Sequence, residues 1–237
     1  MDDSEEPEPR VIAIGDIHGC LTAFRSLVEA LGICSGDTLV ILGDVIDRGP
    51  DSRGVLDVLL ELKDQCQLVC LLGNHEQMLI DVVESRMPLS LWLGFGGEET
   101  LDSYLEGGTL SSFDANHLEF IQSWGDYFET ASHFFAHGNF EAGIALAKQP
   151  WHEMRWISLR ESIPLPHLTG KTAVVGHTSN KQGKVVNLGH LICLDTYCYG
   201  GGWLTALDVT SGVIWQADQQ GQVDLKTINT VEQSTHP

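Results

Sequence analysis

Short apolar runs alternate with helical-period stretches through the first third of the chain, and each run stops at a polar cluster. Val11-Ile12-Ala13-Ile14 leads into Gly15-Asp16-Ile17-His18-Gly19, after which Leu21, Phe24, Leu27, Val28 and Leu31 recur at helical spacing and Gly32 supplies a stop. Leu39-Val40-Ile41-Leu42 leads into Gly43-Asp44-Val45-Ile46-Asp47-Arg48-Gly49, with Asp51 or Ser52 as N-cap for a helix carrying Val55, Val58, Leu59 and Leu62. Leu68-Val69-Cys70-Leu71-Leu72 leads into Gly73-Asn74-His75-Glu76 and a helix with Met78, Leu79, Val82 and Val83. Three successive strand-loop-helix units predict a parallel sheet whose loops gather at the carboxyl ends of the strands. All three polar clusters then face one rim.

From 85 to 130 the pattern turns helical and aromatic, with Trp92, Phe95, Tyr104, Phe113, Phe120 and Trp124 broken by Gly94, Gly96-Gly97 and Gly107-Gly108. This reads as a helical insertion beside the rim, its aromatics packed onto the main body rather than forming a substrate cage. Strands follow at Ser132–Ala136, Thr172–Val175, His190–Leu194, Trp203–Val209 and Gly212–Gln216, the last two joined as a hairpin through Thr210-Ser211. Two of these strands end in Ala136-His137-Gly138 and Gly176-His177-Thr178. The expected organisation is a disordered acidic tail over 1–10, one domain over 11–220 and a loosely attached polar tail over 221–237.

Composition narrows the function classes. Thirteen basic against thirty-three acidic residues give a formal charge of −20 in 237 residues, which argues against a nucleic-acid partner. A phosphate substrate would need local positive charge from metal ions or a few clustered arginines. No apolar run approaches the ~20 residues of a membrane span, and the acidic start fits neither a secretory signal nor a transit peptide, so a soluble cytoplasmic protein without a membrane partner is expected. Six cysteines show no zinc-type pairing and no arrangement for a cysteine-nucleophile phosphatase, and are expected to be reduced and buried. Oligomeric state is not legible.

The strand-end groups are Asp16 and His18; Asp44, Asp47 and Arg48; Asn74 and His75; His137; and His177. Taken alone, Gly43–Gly49 fits a strand end with a solvated Asp–Arg pair as well as it fits a ligand loop. Together the groups offer imidazole and carboxylate donors suited to Mn, Fe, Zn or Ni rather than Ca or Mg. Asp16 and His18 can reach one ion, while Asp44 from the neighbouring strand can bridge to a second completed by Asn74, His137 and His177. Two such ions ~3.5–4 Å apart can bind one phosphate and activate water. His117, His133, His152, His167, His190 and His236 fall in no motif and are expected to be structural.

In order, Gly-Asp-x-His-Gly, Gly-Asp-x-x-Asp-Arg-Gly, Gly-Asn-His-Glu, His-Gly and Gly-His-Thr resemble the phosphoprotein phosphatase branch of the calcineurin-like metallophosphoesterases, over Val11 to about Val209. The later Asp195-Thr196, Gly200-Gly201-Gly202 and Leu204-Thr205 resemble its bacterial members. The resemblance implies an α/β, four-layer sandwich of two mixed β-sheets flanked by helices. It also implies two divalent ions, manganese first among the candidates, and in-line attack on phosphorus by a metal-bridging hydroxide. Onto matching positions it carries His75 as the acid protonating the leaving oxygen, Asp47 as the holder of that imidazole, and Arg48 as a phosphate clamp. One departure stands out. Relatives usually carry a second clamp arginine two residues after a tryptophan, where this chain has Ser158 after Trp156, so Arg155 or Arg160 would have to substitute. The expected activity is that of a serine/threonine protein phosphatase acting on a phosphorylated protein, with dinucleoside polyphosphate hydrolysis, as on diadenosine tetraphosphate, as the alternative. A catalytically weak metal-binding scaffold is the reading from a different class.

Overall fold

In chain order the elements are β1 (Val11–Ile14), α1 (Leu21–Leu31), β2 (Thr38–Ile41), α2 (Ser52–Leu62), β3 (Gln67–Cys70), α3 (Asn74–Val83), α4 (Leu89–Trp92), α5 (Glu98–Tyr104), α6 (Ala115–Gln122), β4 (Tyr127–Glu129), β5 (His133–Ala136), α7 (Trp151–Trp156), β6 (Thr172–Val175), β7 (Val186–Asn187), β8 (Leu191–Cys193), β9 (Leu204–Asp208), β10 (Val213–Ala217) and β11 (Val223–Thr227). The structure, a computed structural model, describes residues 8–228. One sheet has the order β11-β10-β9-β1-β2-β3 and the other β4-β5-β6-β8-β7. β1, β2 and β3 run parallel, as the repeated strand-loop-helix pattern predicts, while β9 lies antiparallel to β1. In the second sheet β5, β6 and β8 are parallel, with β4 and β7 antiparallel at its edges. Both sheets are therefore mixed.

The two-residue period of the strands explains the layering. Ala13, Val40 and Leu42 meet Phe135, Val174, Ile192 and Leu194 in a core between the sheets. Their neighbours Ile12, Ile14, Leu39 and Ile41 point the other way, onto Phe24 and Leu27 of α1 and Val55 and Leu59 of α2. On the far face of the second sheet Phe134, Ala136, Ala173 and Val175 pack on Phe140, Met154 and Leu159. A strand covered on both faces must be apolar throughout, which is why β1 and β2 read as continuous hydrophobic runs. Gly32 caps α1 in the left-handed region (φ 54°), and Asp51 caps α2 by accepting from the Gly54 N–H at 2.8 Å.

The structure departs from the sequence expectations at the edges. The polar stretch expected as a tail from 221 contains β11, which pairs antiparallel with β10 from Val223↔Ala217 to Thr227↔Val213. Its residues Asp224, Leu225, Lys226 and Thr227 are exposed, so an edge strand lacks the apolar signature of a central one. The expected acidic tail over 1–10 lies, for residues 1–7, outside the described residues, as do 229–237. Arg10 is anchored: it donates from Nη2 to Asp37 Oδ2 at 2.6 Å, from Nε to Oδ1 at 3.1 Å, and from Nη1 to the Leu31 carbonyl at 3.0 Å. The insertion is helical to Gln122, after which β4 joins the second sheet.

Burial pushes the Asp37 carboxyl up, but Arg10 and the Cys34 N–H outweigh it and bring the group from 3.8 to about 2. A depressed carboxylate stabilises the fold above its unfolded pKa and loses that contribution as pH falls through the folded value, so the window here runs from about pH 4 down to about 2. Asp37→Asn is expected to cost about 2 kcal/mol at pH 7. Urea unfolding of both proteins as a function of pH checks this: the gap should close towards pH 2, and a pH-independent gap would contradict the pairing.

Candidate active site

The loops that follow β1, β2, β3, β5 and β6 meet at one rim, and their backbones are unusual there. Among the described residues, seven non-glycine positions have positive φ, and five of them are His18 (45°), Asp44 (48°), Asp47 (74°), Arg48 (69°) and His177 (61°). Such conformations cost of order 1 kcal/mol or more each and persist where surrounding contacts enforce them. Glu76 is the chief enforcer. Fully buried, it accepts from the backbone N–H groups of Gly73 (3.0 Å), Asp44 (2.9 Å), Val45 (2.8 Å) and Ile46 (3.3 Å), tying the first turn of α3 to the loop after β2. The Asp44 carbonyl in turn accepts from Ile17 N–H and His18 N–H at 3.0 and 2.9 Å. Gly73 is required by close approach, since a Cβ there would collide with Asp44 Oδ1.

Glu76→Gln would turn an amide NH2 towards backbone donors that now share a carboxylate. We expect a loss of about 2–3 kcal/mol in stability, accompanied by weaker cation binding because the Asp44 loop is released. Thermal unfolding combined with Mn2+ titration checks it, and a variant with unchanged cation affinity would deny Glu76 this role.

Asp44 stands between two groups of donor atoms, His18–Asp44–His75 and Asp44–His137–His177, each group lying within 4.8 Å. On one side His18 Nε2 is 3.6 Å from Asp44 Oδ2. On the other, His137 Nε2 faces Asp44 Oδ1 at 3.4 Å, Asn74 Oδ1 at 3.1 Å and His177 Nδ1 at 3.2 Å. Backbone carbonyls fix the imidazole tautomers: His18 Nδ1 to Ile46 (2.9 Å), His137 Nδ1 to Leu42 (2.9 Å) and His177 Nε2 to Trp156 (3.0 Å). With those nitrogens donating, the opposite ring nitrogens converge on the carboxylate and amide oxygens, and each offers a lone pair to a cation once it is unprotonated. Converging acceptors with carbonyl-anchored imidazoles form a donor set that fits divalent cations. Asp16 is buried beside this set and accepts from the His177 N–H with both oxygens, at 3.0 and 3.1 Å, but belongs to neither compact group.

The electrostatics show how tightly these groups are held. Burial lowers His18 well below an ordinary imidazole, and burial with the neighbouring His137 brings His177 to about 4. Burial also opposes charge on His137, yet Asp44, Asp16 and Glu76 override it and raise the group to about 10. Desolvation is likewise the largest influence on Asp44, but His137, His75 and His18 hold it well below 3.8, whereas burial and Asp195 push Asp16 well above it.

The second arrangement is a dyad. His75 Nδ1 donates to Asp47 Oδ2 at 2.7 Å, and both residues are fully buried. Its Nε2 is buried without a hydrogen-bond partner, 4.0 Å from Asp44 Oδ2. The insertion holds the dyad in place: Trp92 Nε1 donates to Asp47 Oδ2 at 2.8 Å, Thr100 Oγ1 donates to Asp47 Oδ1 at 2.7 Å and the Gly96 carbonyl accepts the Arg48 N–H at 3.0 Å. Gly96 has φ 108° and passes so close that a Cβ would lie 2.6 Å from the Arg48 nitrogen. The aromatics are expected to pack, and Trp92 does, but it also holds the Asp47 carboxylate. Arg48 Nη1 donates to His18 Nε2 at 2.8 Å and lies over the Tyr199 ring at 4.7 Å, so a cation and this guanidinium compete for one imidazole lone pair.

Asp44, Arg48, Asn74 and His177 open onto a cleft of about 760 Å³ also lined by Ser158, Arg160, Lys181, Tyr197 and Tyr199. The structure separates the two candidate arginines. Arg155 points elsewhere, donating to Asp126 Oδ1 at 2.6 Å and to Gln77 Oε1, while Arg160 lies on the cleft wall and donates to the Ser179 carbonyl. Of the histidines outside the motifs, His117 is buried against Tyr104 and Asp57, His167 bonds Thr169 and the Ile144 carbonyl, and His190 bonds the Pro164 carbonyl. His236 is outside the described residues.

A model of the calcineurin-like phosphoesterase family matches residues 9–212. The chain belongs to that family. This phosphoesterase is 44% identical over 92 residues to serine/threonine-protein phosphatase 1 of Salmonella typhimurium, a stretch covering 37% of this chain and 39% of the relative. It is 37% identical over 99 residues to a symmetrical bis(5'-nucleosyl)-tetraphosphatase of Chromobacterium violaceum, covering 40% of this chain and 32% of that protein. The matches thus span well under half the length of these curated relatives. Among solved structures the phosphoesterase shares its fold with a proposed diadenosine tetraphosphatase (TM-score 0.67, 23% identity, 92% of this chain and 93% of that one). It also shares it with a cold-active protein tyrosine phosphatase (TM-score 0.61, 18% identity, 96% and 83%). Among the described residues no helix is long and apolar enough to cross a membrane.

Proposed function

We propose that this phosphoesterase hydrolyses phosphate esters at a two-cation centre built on Asp44, with Asp16, His18, Asn74, His137 and His177 completing the ligand set. The carrying observation is that Asp44 faces His18 on one side and His137 and His177 on the other, while a buried His75–Asp47 dyad aims an unpartnered Nε2 at the same gap. When bound, two divalent cations supply Lewis-acid activation of water and neutralise phosphoryl charge. The chain's residues supply the remainder. A proton on His75 Nε2 is positioned for delivery to the departing oxygen, Asp47 fixes the ring through Nδ1, and Arg48 grips a phosphoryl oxygen as a planar fork. Manganese is the first candidate on donor type, with iron, zinc and nickel as alternatives.

Two substrate classes fit. A phosphorylated serine or threonine side chain stands first on the sequence, because a −20 surface repels a polyanion, and the Salmonella relative's name agrees. A dinucleoside polyphosphate is favoured by the cleft, whose cations exceed what one phosphate monoester needs. Rates on a phosphoserine peptide, a phosphotyrosine peptide and diadenosine tetraphosphate with saturating Mn2+ rank the classes. Full cation loading with no turnover on any of them, nor on an aryl phosphate, would overturn the enzymatic reading in favour of a scaffold.

A further inference from the structure

The cleft carries positive charge that the dyad and the cation ligands leave unused. Arg48, Arg160 and Lys181 all line it, three of the thirteen lysines and arginines in a chain of charge −20. Elsewhere the basic side chains tend to be neutralised, as in Arg10 with Asp37, Arg86 with Asp81, Arg155 with Asp126, Lys171 with Glu129 and Lys226 with Asp224. Among the described residues neither Arg160 nor Lys181 is paired with a carboxylate. Two such cations on one wall repel each other unless an anion lies between or beside them.

That wall is built rather than accidental. Ser158 is half-buried and commits its hydroxyl to the backbone: Ser158 Oγ accepts from Arg160 N–H at 3.1 Å and meets Thr178 Oγ1 at 3.2 Å, while Thr178 Oγ1 accepts from Leu159 N–H at 2.9 Å. This clips residues 158–160 to the loop after β6 and lays Arg160 along the Ser179 carbonyl. Beneath that loop sits Asp195, only 3% exposed, accepting from Ser179 Oγ at 2.6 Å and from Tyr197 N–H at 3.1 Å, while its carbonyl accepts from Asn180 N–H at 2.8 Å. One buried residue, through its carboxylate and its carbonyl, therefore fixes both Ser179–Asn180, which precede Lys181, and Tyr197, over whose ring Lys181 Nζ lies at 5.7 Å. Cation–π contact leaves the ammonium's donors available to a ligand.

We infer that Arg160 and Lys181 form a second anion subsite, separate from the Asp44 centre and Arg48, which takes a second phosphate of a substrate whose phosphates are linked as anhydrides. The subsite rests on the phosphoesterase reading above and selects, between its two substrate classes, the dinucleoside polyphosphates. A phosphoserine side chain presents one phosphoryl group and would leave both cations facing water. A polyphosphate places its next phosphates a few ångströms from the scissile one and meets them.

The test compares kcat/KM for diadenosine tetraphosphate and p-nitrophenyl phosphate, with Mn2+ saturating, in the native chain and in Arg160→Ala, Lys181→Ala and the double variant. Both side chains are exposed, so folding should survive. The tetraphosphate-to-aryl phosphate ratio should fall about tenfold in each single variant, through KM, since each removes one charge-assisted contact. A ratio within twofold of native would overturn the subsite, and so would a larger loss on a phosphoserine peptide than on the tetraphosphate. Equal losses on both substrates in Arg160→Ala would place Arg160 on the scissile phosphate instead. Calorimetric binding of inorganic tripolyphosphate to the Mn2+-loaded chain reads the subsite without turnover. Native binding at least about tenfold tighter than in the double variant supports it even in a chain inactive on every substrate, and equal binding overturns it.

Discussion

Asp44→Asn is expected to abolish binding of both cations and to reduce turnover at least about a thousandfold, the largest effect of any single substitution in this chain. Asp44 contributes an oxygen to each donor group, at 3.6 Å from His18 Nε2 and 3.4 Å from His137 Nε2. Its removal therefore takes one anionic ligand from both sites at once, whereas any histidine variant takes a neutral ligand from one. Asparagine keeps the size and can still accept the His75 N–H, now 3.0 Å from Oδ1, so the fold should remain close to native. What it loses is charge. Three imidazoles and the neighbouring carboxylates then lack the anion that draws two cations together. Elemental analysis after dialysis against Mn2+ should find two ions per native chain and none in the variant; one retained ion would show that Asp44 does not bridge.

His75→Asn is expected to lower kcat by roughly 10²–10⁴-fold while leaving both cations in place. The loss should grow with the basicity of the leaving oxygen, because an alkoxide needs the proton that His75 Nε2 delivers and a nitrophenolate needs it less. The dyad is sealed by Trp92 and Thr100 on Asp47, so Asp47→Asn should reproduce much of the defect by reversing the hydrogen bond to Nδ1. Comparing rates on p-nitrophenyl phosphate and an alkyl phosphate at equal Mn2+ occupancy reads this directly. A variant equally impaired on both would remove His75 from the role of acid.

The parts of the molecule legible in the sequence are those in which one requirement dominates. β1 and β2 are buried on both faces and read as apolar runs, and the strand-end motifs announce their donors because carboxylate, imidazole and amide have few reasons to cluster beside glycine. β11 was read as a tail because an exposed edge strand has no apolar face to display, and β4 was merged with the insertion because three residues carry no period. Glu76 stood inside a recognised motif yet received no role, since its four backbone partners lie in a loop about thirty residues upstream and at its own helix start. The positions of Trp92 and Asp195 were legible but their contacts were not, and Thr100 gave no signal at all: each acts through tertiary hydrogen bonds, which leave no spacing to read. Charge points two ways at two scales. The −20 total favours a protein substrate, whereas the local charge of the cleft favours a polyphosphate.

The central claim is that this rim of strand ends is a two-cation phosphoesterase centre. Titrating chelator-treated protein with Mn2+ while following p-nitrophenyl phosphate hydrolysis tests it most directly. Turnover should be absent in the stripped chain and rise to a plateau at two equivalents; full turnover in the stripped chain, or saturation of both sites without turnover, would contradict it.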